Sequence, residues 1–257
     1  MKNGSSWKIK LAVYSFSILM MGAAGVATGL APIMAHFEPL GYSTATVQFY
    51  LISAPCITVF IMAIVTGKLA TMVPVKPLMM LGILLFLLCG TAPALIHSLP
   101  VIFVLRLIFG CGLGLVQSLS PIVIANCFEG DEKASVMGVQ TTAQMIGCAV
   151  MCLLGGIVSA VDWRLTFCVH LLAVIPLVVV LIFMPNIRQQ KAEAAAETAP
   201  KERARLTGKA WYCIIGFFIF FIFGQIYTLY NALIIESYGI GSPADAGTAT
   251  TFFCIGG

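Results

Sequence analysis

Seven long apolar runs, at 11–35, 46–67, 77–97, 100–125, 136–160, 164–184 and 210–235, alternate with short polar connectors, and an eighth begins near Ala246. A helix needs about 20 apolar residues to cross the roughly 30 Å hydrocarbon core of a bilayer. The runs reach that length and are too uniformly apolar for the alternating ten-residue strands of a membrane barrel. Lipid offers the backbone no hydrogen bonds, so each run must satisfy its own as a helix. The pattern predicts an all-α, polytopic membrane protein. The first run follows a basic start, Met1 to Lys10, as a signal peptide would, but it is too long for a cleaved apolar region and reads as a retained helix.

Composition narrows the function classes. Of 257 residues, 60% are hydrophobic and only 9% are charged, against about 25% charged in a soluble domain. Nine cysteines are present without a CxxC pair, so helix packing explains them better than a metal or redox centre. No phosphate loop, nucleophile–base pair or metal spacing is visible, and neither enzymatic activity nor a cofactor is expected.

Charge sets topology. Lys2, Lys8 and Lys10 precede the first run, Lys68 and Lys76 sit in the second connector, Lys133 in the fourth, and Arg188, Lys191, Lys201, Arg203, Arg205 and Lys209 in the sixth. Those twelve of fourteen basic residues fall on one side if the helices alternate, which places the N-terminus and the even connectors in the cytoplasm of a multi-pass inner or plasma-membrane protein. The net charge of +4 is therefore topological and implies no nucleic-acid partner. The single long connector is Ala-rich with mixed charges and reads as a linker. It divides the chain into a six-helix lobe at 1–185, a cytoplasmic linker at 186–208, and the truncated start of a second lobe at 209–257.

Local motifs sharpen this layout. The second connector reads Gly67-Lys68-Leu69-Ala70-Thr71-Met72-Val73-Pro74-Val75-Lys76. The fourth run carries Arg106-Leu107-Ile108-Phe109-Gly110-Cys111-Gly112-Leu113-Gly114, the fifth carries Gly147, Gly155 and Gly156, and Trp163-Arg164 with Phe167 precedes the body of the sixth. Together these resemble the major facilitator superfamily of secondary transporters. Gly67, Leu69, Ala70 and Lys76 match the family's G-x-L-A-D-R-x-G-R-K pattern, whereas Thr71, Met72, Pro74 and Val75 replace its acid, its arginines and its second glycine. Arg106, Gly110 and Gly114 match R-x-x-x-G-x-x-x-G. The fifth run keeps three glycines of the antiporter element but has Met151-Cys152 in place of its central Gly-Pro. The resemblance covers 10–257 and implies a lobe of a two-lobed transporter, with its C-terminal lobe as the expected partner.

Arg106 is the first candidate for substrate or proton coupling, because an intramembrane arginine costs at least about 2.5–3.5 kcal/mol at the bilayer centre. At 100° per residue, Arg106, Gly110, Gln117 and Pro121 share one helical stripe, a polar and small face suited to a cavity wall. Gln117, Gln140, Gln144, Gln225, Tyr227 and Asn231 are further candidates for substrate contact, although glutamine and asparagine also bind helices to one another. Gly110, Gly114, Gly147, Gly155 and Gly156 read as close-packing positions. No Asp or Glu lies inside a run; Glu38 is the nearest carboxylate for a proton, and His36 and His97 lie at outer ends. The expected function is secondary transport of a small molecule, by proton-coupled efflux of drug-like or metabolite compounds. Uptake of a small organic anion, with Arg106 pairing the carboxylate, and a truncated non-transporting membrane protein are the alternatives.

Overall fold

A computed structural model of the protein describes residues 3–187 and 238–256, with single residues and short runs between 211 and 235. Among the described residues all regular structure is helical. Six helices among them are long and apolar enough to cross a membrane: Ser6–Thr28, Thr44–Met72, Val75–Leu95, Leu99–Cys127, Gly130–Ser159 and Leu165–Phe183, called the first to sixth spans below. They correspond to the first six apolar runs. The body of the linker lies outside the described residues, as does much of the seventh run, including Gln225, Tyr227 and Asn231.

The first span begins earlier than its apolar run, because the basic lead-in is itself helical from Asn3. Lys10 Nζ lies 2.8 Å from Glu132 Oε1 at the start of the fifth span, and Ser6 Oγ donates to the same oxygen at 3.0 Å. Both charges are largely solvated, so entropy and screening offset the attraction. Lys10→Ala and Glu132→Ala are expected to leave the melting temperature nearly unchanged, with the double variant matching either single one. Strong coupling that survives high salt would contradict this.

The same span then loosens. Ile18–Met21 is a 3-10 turn, Ala24–Thr28 and Leu30–Phe37 are separate short helices, and Gly22 and Gly29 sit at the joints. The second span has its own irregularity, a single π turn over Phe49–Ser53, two residues before Pro55. Pro55 has no N–H to donate to the preceding turn, and a widened turn is one way the chain accommodates that loss. The span ends where Val73, held extended by the following Pro74, leaves the helical region. Val75 N–H, unsatisfied at the start of the third span, donates to Ile187 O at 2.6 Å and ties the end of the sixth-span segment to the second connector.

Small residues let the helices approach closely, as association in lipid requires. The fourth span has two such faces. Gly110 and Gly114 lie against Pro55, Thr58, Val59 and Met62 of the second span, and Gly112 lies against Gly82, Leu85 and Phe86 of the third. The fifth span likewise has two. Gly147 meets the backbone of Ile18 and Gly155 that of Gly25. On its other side, Gly156 and Cys152 receive Gly247 of the Pro243–Gly256 helix, where Thr251 Oγ1 donates to Ala149 O at 3.1 Å. That helix begins at Pro243, a few residues before Ala246 where the apolar pattern starts, since proline is well suited to a first helical turn.

The main core joins Phe16, Leu19, Met79, Phe86, Phe109, Val116 and Val180 from the first, third, fourth and sixth spans. A second cluster, with Val26, Leu30, Phe37, Leu51, Ile102 and Phe167, fills the other end. The second span is the least covered: Phe60, Ile61 and Ile64 are all exposed, an apolar surface compatible with lipid.

Candidate functional site

Arg106 is the largest fully buried side chain described, with 1% of its surface accessible. The fourth span carries it inward, and two aromatic rings cover it. Its guanidinium carbon lies 4.9 Å from the ring centroid of Phe109, one turn further along the same helix. It lies at the same 4.9 Å from the centroid of Phe167 on the sixth span. Cation–π contacts of this kind contribute about 0.5–2 kcal/mol each. They do not satisfy N–H groups: Nε and Nη2 have no hydrogen-bond partner among the described residues. The ion pair of Lys10 with Glu132 is remote from this centre, and no carboxylate among the described residues pairs with Arg106.

His170 belongs to the same cluster. It is 1% accessible, and its ring packs 5.1 Å from Phe109 and 5.2 Å from Phe86. Gly90 of the third span makes room for it, since a Cβ there would lie 2.7 Å from the imidazole. Nδ1 is 2.9 Å from Phe167 O, while Nε2 is buried without a partner. Thr166 Oγ1, next to Phe167, is also buried and unpaired. Unsatisfied buried polar groups are few in native folds, and each calls for an explanation. Here Arg106 and His170 share the Phe109 ring, whereas Thr166 Oγ1 lies toward Gly29.

The sequence pattern marks His36 and His97 and passes over His170. His36 stacks on Trp163, with centroids 4.7 Å apart, and His97 is exposed. The signal for His170 was its place six residues into the last apolar run of the lobe, where a basic side chain has no water to face. The tryptophan–arginine–phenylalanine element gains a reason as well. Trp163 packs against His36 and Phe37 at the end of the first span's helices, and Phe167 is one of the two rings covering Arg106.

The shared stripe of the fourth span does not line one space. Arg106 reaches the sixth span, Gly110 touches the second, and Pro121 is exposed. Gln117 is half-buried and donates to Met20 O at 2.7 Å. Gln140 is also half-buried and approaches Met20 Sδ at 3.6 Å. Two spans thus converge on the 3-10 turn of the first, where the departure from α-helical bonding leaves a carbonyl free to accept a hydrogen bond. Gln144, one turn beyond Gln140, is half-buried. Arg106 with His170 and the glutamines with Met20 are therefore two separate polar groups. An apolar groove along Leu154, Val158, Leu165 and Cys168 touches neither.

In the second connector, Ala70 is fully buried and Leu69 packs against the core, while Lys76 is half-buried. Thr71 Oγ1, at the position of the family's acid, donates to Lys68 O at 2.7 Å within its own helix. Nothing lies within 4 Å of the place a Gly67 side chain would occupy.

Comparison with known proteins agrees with this architecture. The model of the Major Facilitator Superfamily matches residues 13–257. The "Multidrug transporter protein MdtP" of Bacillus subtilis (strain 168) is 23% identical over 175 residues, which is 66% of this chain and 31% of that protein. The "Azole resistance protein 1" of Saccharomyces cerevisiae is 30% identical over 112 residues, 43% of this chain and 18% of that one. The chain thus aligns with under a third of each of these relatives. The crystal structure of a D-xylose-proton symporter superposes with a TM-score of 0.74 at 18% identity, covering 98% of this chain and 66% of the symporter, a likeness of fold. Six membrane-length helices, glycine-mediated packing and a family match over nearly the whole chain lead to one conclusion: this chain belongs to the Major Facilitator Superfamily, a family of transporters and not of enzymes.

Proposed function

We propose that the protein is a secondary active transporter exporting a small organic molecule across the cytoplasmic membrane in exchange for protons. The observation that carries a transport role is the buried, unpaired centre at Arg106 and His170. A lobe built only to pack would not retain a cation with two unmade N–H groups in an apolar interior. Export is supported by the multidrug and azole-resistance names of the relatives and by Gly147, Gly155 and Gly156 of the antiporter element. Proton coupling is supported by His170, which with Arg106 makes up the basic side chains buried in the described spans.

In this reading the N-terminus is cytoplasmic, 1–185 forms the first lobe, 186–208 links it to the second, and 209–257 opens that second lobe. Gln117, Gln140 and Gln144 face the space between lobes, and alternating access rocks the lobes around it. Gln225, Tyr227 and Asn231 would contribute from the second-lobe side.

A second reading, import of a small organic anion, is favoured by the absence of any described carboxylate beside Arg106. Membrane vesicles separate the two. Everted vesicles energised to an acid interior are expected to accumulate substrate and to lose it when a protonophore collapses the gradient. Accumulation only in right-side-out vesicles would select import. No gradient-dependent movement in either orientation would defeat the transporter reading.

A further inference from the structure

The transporter reading leaves the substrate's chemistry open, and the Arg106 centre constrains it. A guanidinium presents Nε–H and one Nη–H along a single edge, spaced to meet the two oxygens of a carboxylate. In Arg106 the atoms left unpaired are Nε and Nη2, which share that edge. Phe109 and Phe167 flank the guanidinium at 4.9 Å each, and the Nε–Nη2 edge is the part without a partner.

His170 adds a second requirement. Its Nδ1 faces the carbonyl oxygen of Phe167 at 2.9 Å. A carbonyl only accepts, so Nδ1 carries the proton and donates. In the neutral ring Nε2 is then a bare acceptor, and it has no donor among the described residues. Arg106 needs a planar pair of acceptors, and His170 needs one donor. Both stand against the same Phe109 ring.

We infer that this centre binds a carboxylate whose molecule also carries a hydroxyl or N–H: the carboxylate sits on the Nε–Nη2 edge of Arg106, and the donor hydrogen-bonds His170 Nε2. The inference deepens the transporter reading by naming the substrate class, and it rests on that reading for its biological meaning. The complementary site disfavours cationic drugs, which would meet Arg106, and carboxylates without a donor, which would leave Nε2 unpaired.

The test uses the purified full chain and three probes of one skeleton: mandelate (carboxylate and hydroxyl), phenylacetate (carboxylate alone) and mandelamide (no charge). Affinity is read from thermal stabilisation against sodium chloride at equal ionic strength. Mandelate should bind roughly tenfold more tightly than phenylacetate, the worth of about one good hydrogen bond, and mandelamide should not bind detectably. Arg106→Gln should abolish binding of both carboxylates, and Arg106→Lys, which keeps the charge and loses the fork, should weaken both. His170→Phe should erase the mandelate advantage while retaining phenylacetate binding, and His170→Gln, which keeps an acceptor, should restore part of it. Equal binding of mandelate and phenylacetate, binding that survives Arg106→Gln, or no carboxylate binding at all would overturn the assignment. Gradient-driven transport without carboxylate preference would sink this inference and leave the transporter reading standing. Carboxylate binding as described, without transport, would do the reverse.

Discussion

Arg106→Met is expected to raise the thermal stability of the protein while abolishing the transport proposed for it. The two effects come from the same feature. Two cation–π contacts return about 1–4 kcal/mol together, but Nε and Nη2 remain unmade, at about 1–3 kcal/mol for each buried unsatisfied group. Replacing buried charges by apolar side chains of similar volume is often neutral or stabilising by about 1–4 kcal/mol. Methionine is flexible enough to lie between Phe109 and Phe167 and keeps favourable sulfur–aromatic contacts. The transition in purified protein should therefore move upward, and vesicle transport should fall to the level of membranes without the protein. Arg106→Lys should also lose transport, because a point charge does not replace the planar fork. A melting temperature several degrees lower for Arg106→Met would show instead that the cation holds the lobe together, and loss of transport would then carry no information about substrate.

The parts of this architecture legible in the sequence are those that depend on length and period. Seven apolar runs are long enough to demand spans; the first six are there, with shifted ends, and much of the seventh lies outside the described residues. The shifts have physical causes: the largely polar, basic stretch Asn3 to Lys10 is helical, and Pro243 opens its helix before the apolar pattern starts. Interruptions within spans were less visible. Nothing in the apolar pattern distinguishes a 3-10 turn at Ile18–Met21 or a π turn at Phe49–Ser53 from regular helix, since the bonding of a freed carbonyl depends on which neighbour donates to it. Arg106 stood out because charge inside lipid is costly wherever it points. Its surroundings did not, because Phe167 and His170 come from a helix about sixty residues later in the chain. The stripe through Arg106, Gly110 and Gln117 was sound geometry along one helix, yet long side chains and three different neighbours send its members to separate places. The place of His170 within an apolar run is legible in the sequence, but its unpartnered Nε2 depends on which helices surround it.

Glycine substitutions should divide by sign according to what each glycine touches. In an exposed helix interior, Gly→Ala stabilises by about 0.5–1 kcal/mol, because alanine loses less backbone freedom. Gly67 and Gly138 lie within the second and fifth spans with nothing within 4 Å of an added Cβ, so Gly67→Ala and Gly138→Ala should raise stability slightly. Gly147 is the opposite case. A Cβ there would overlap the carbonyl oxygen of Ile18, with Ile18 Cα at 2.6 Å and its carbonyl carbon at 2.8 Å. Those are backbone atoms of the loosened turn in the first span, so no side chain can swing aside, and the two helices must separate. Separation would strip contacts around Cys148, Cys152 and Phe16 and draw the Met20 carbonyl away from Gln117. Overpacking of this kind costs about 1–3 kcal/mol for a small group and more for a large one. Gly147→Ala should therefore lower the melting temperature despite its better helix propensity, and Gly147→Leu should leave little monodisperse protein after extraction. Melting curves of the four variants, with expression measured alongside, test the ordering. If Gly147→Ala proves as stable as Gly138→Ala, the fifth span does not approach the first as closely as its glycines allow, and the small-residue account of this lobe's packing fails.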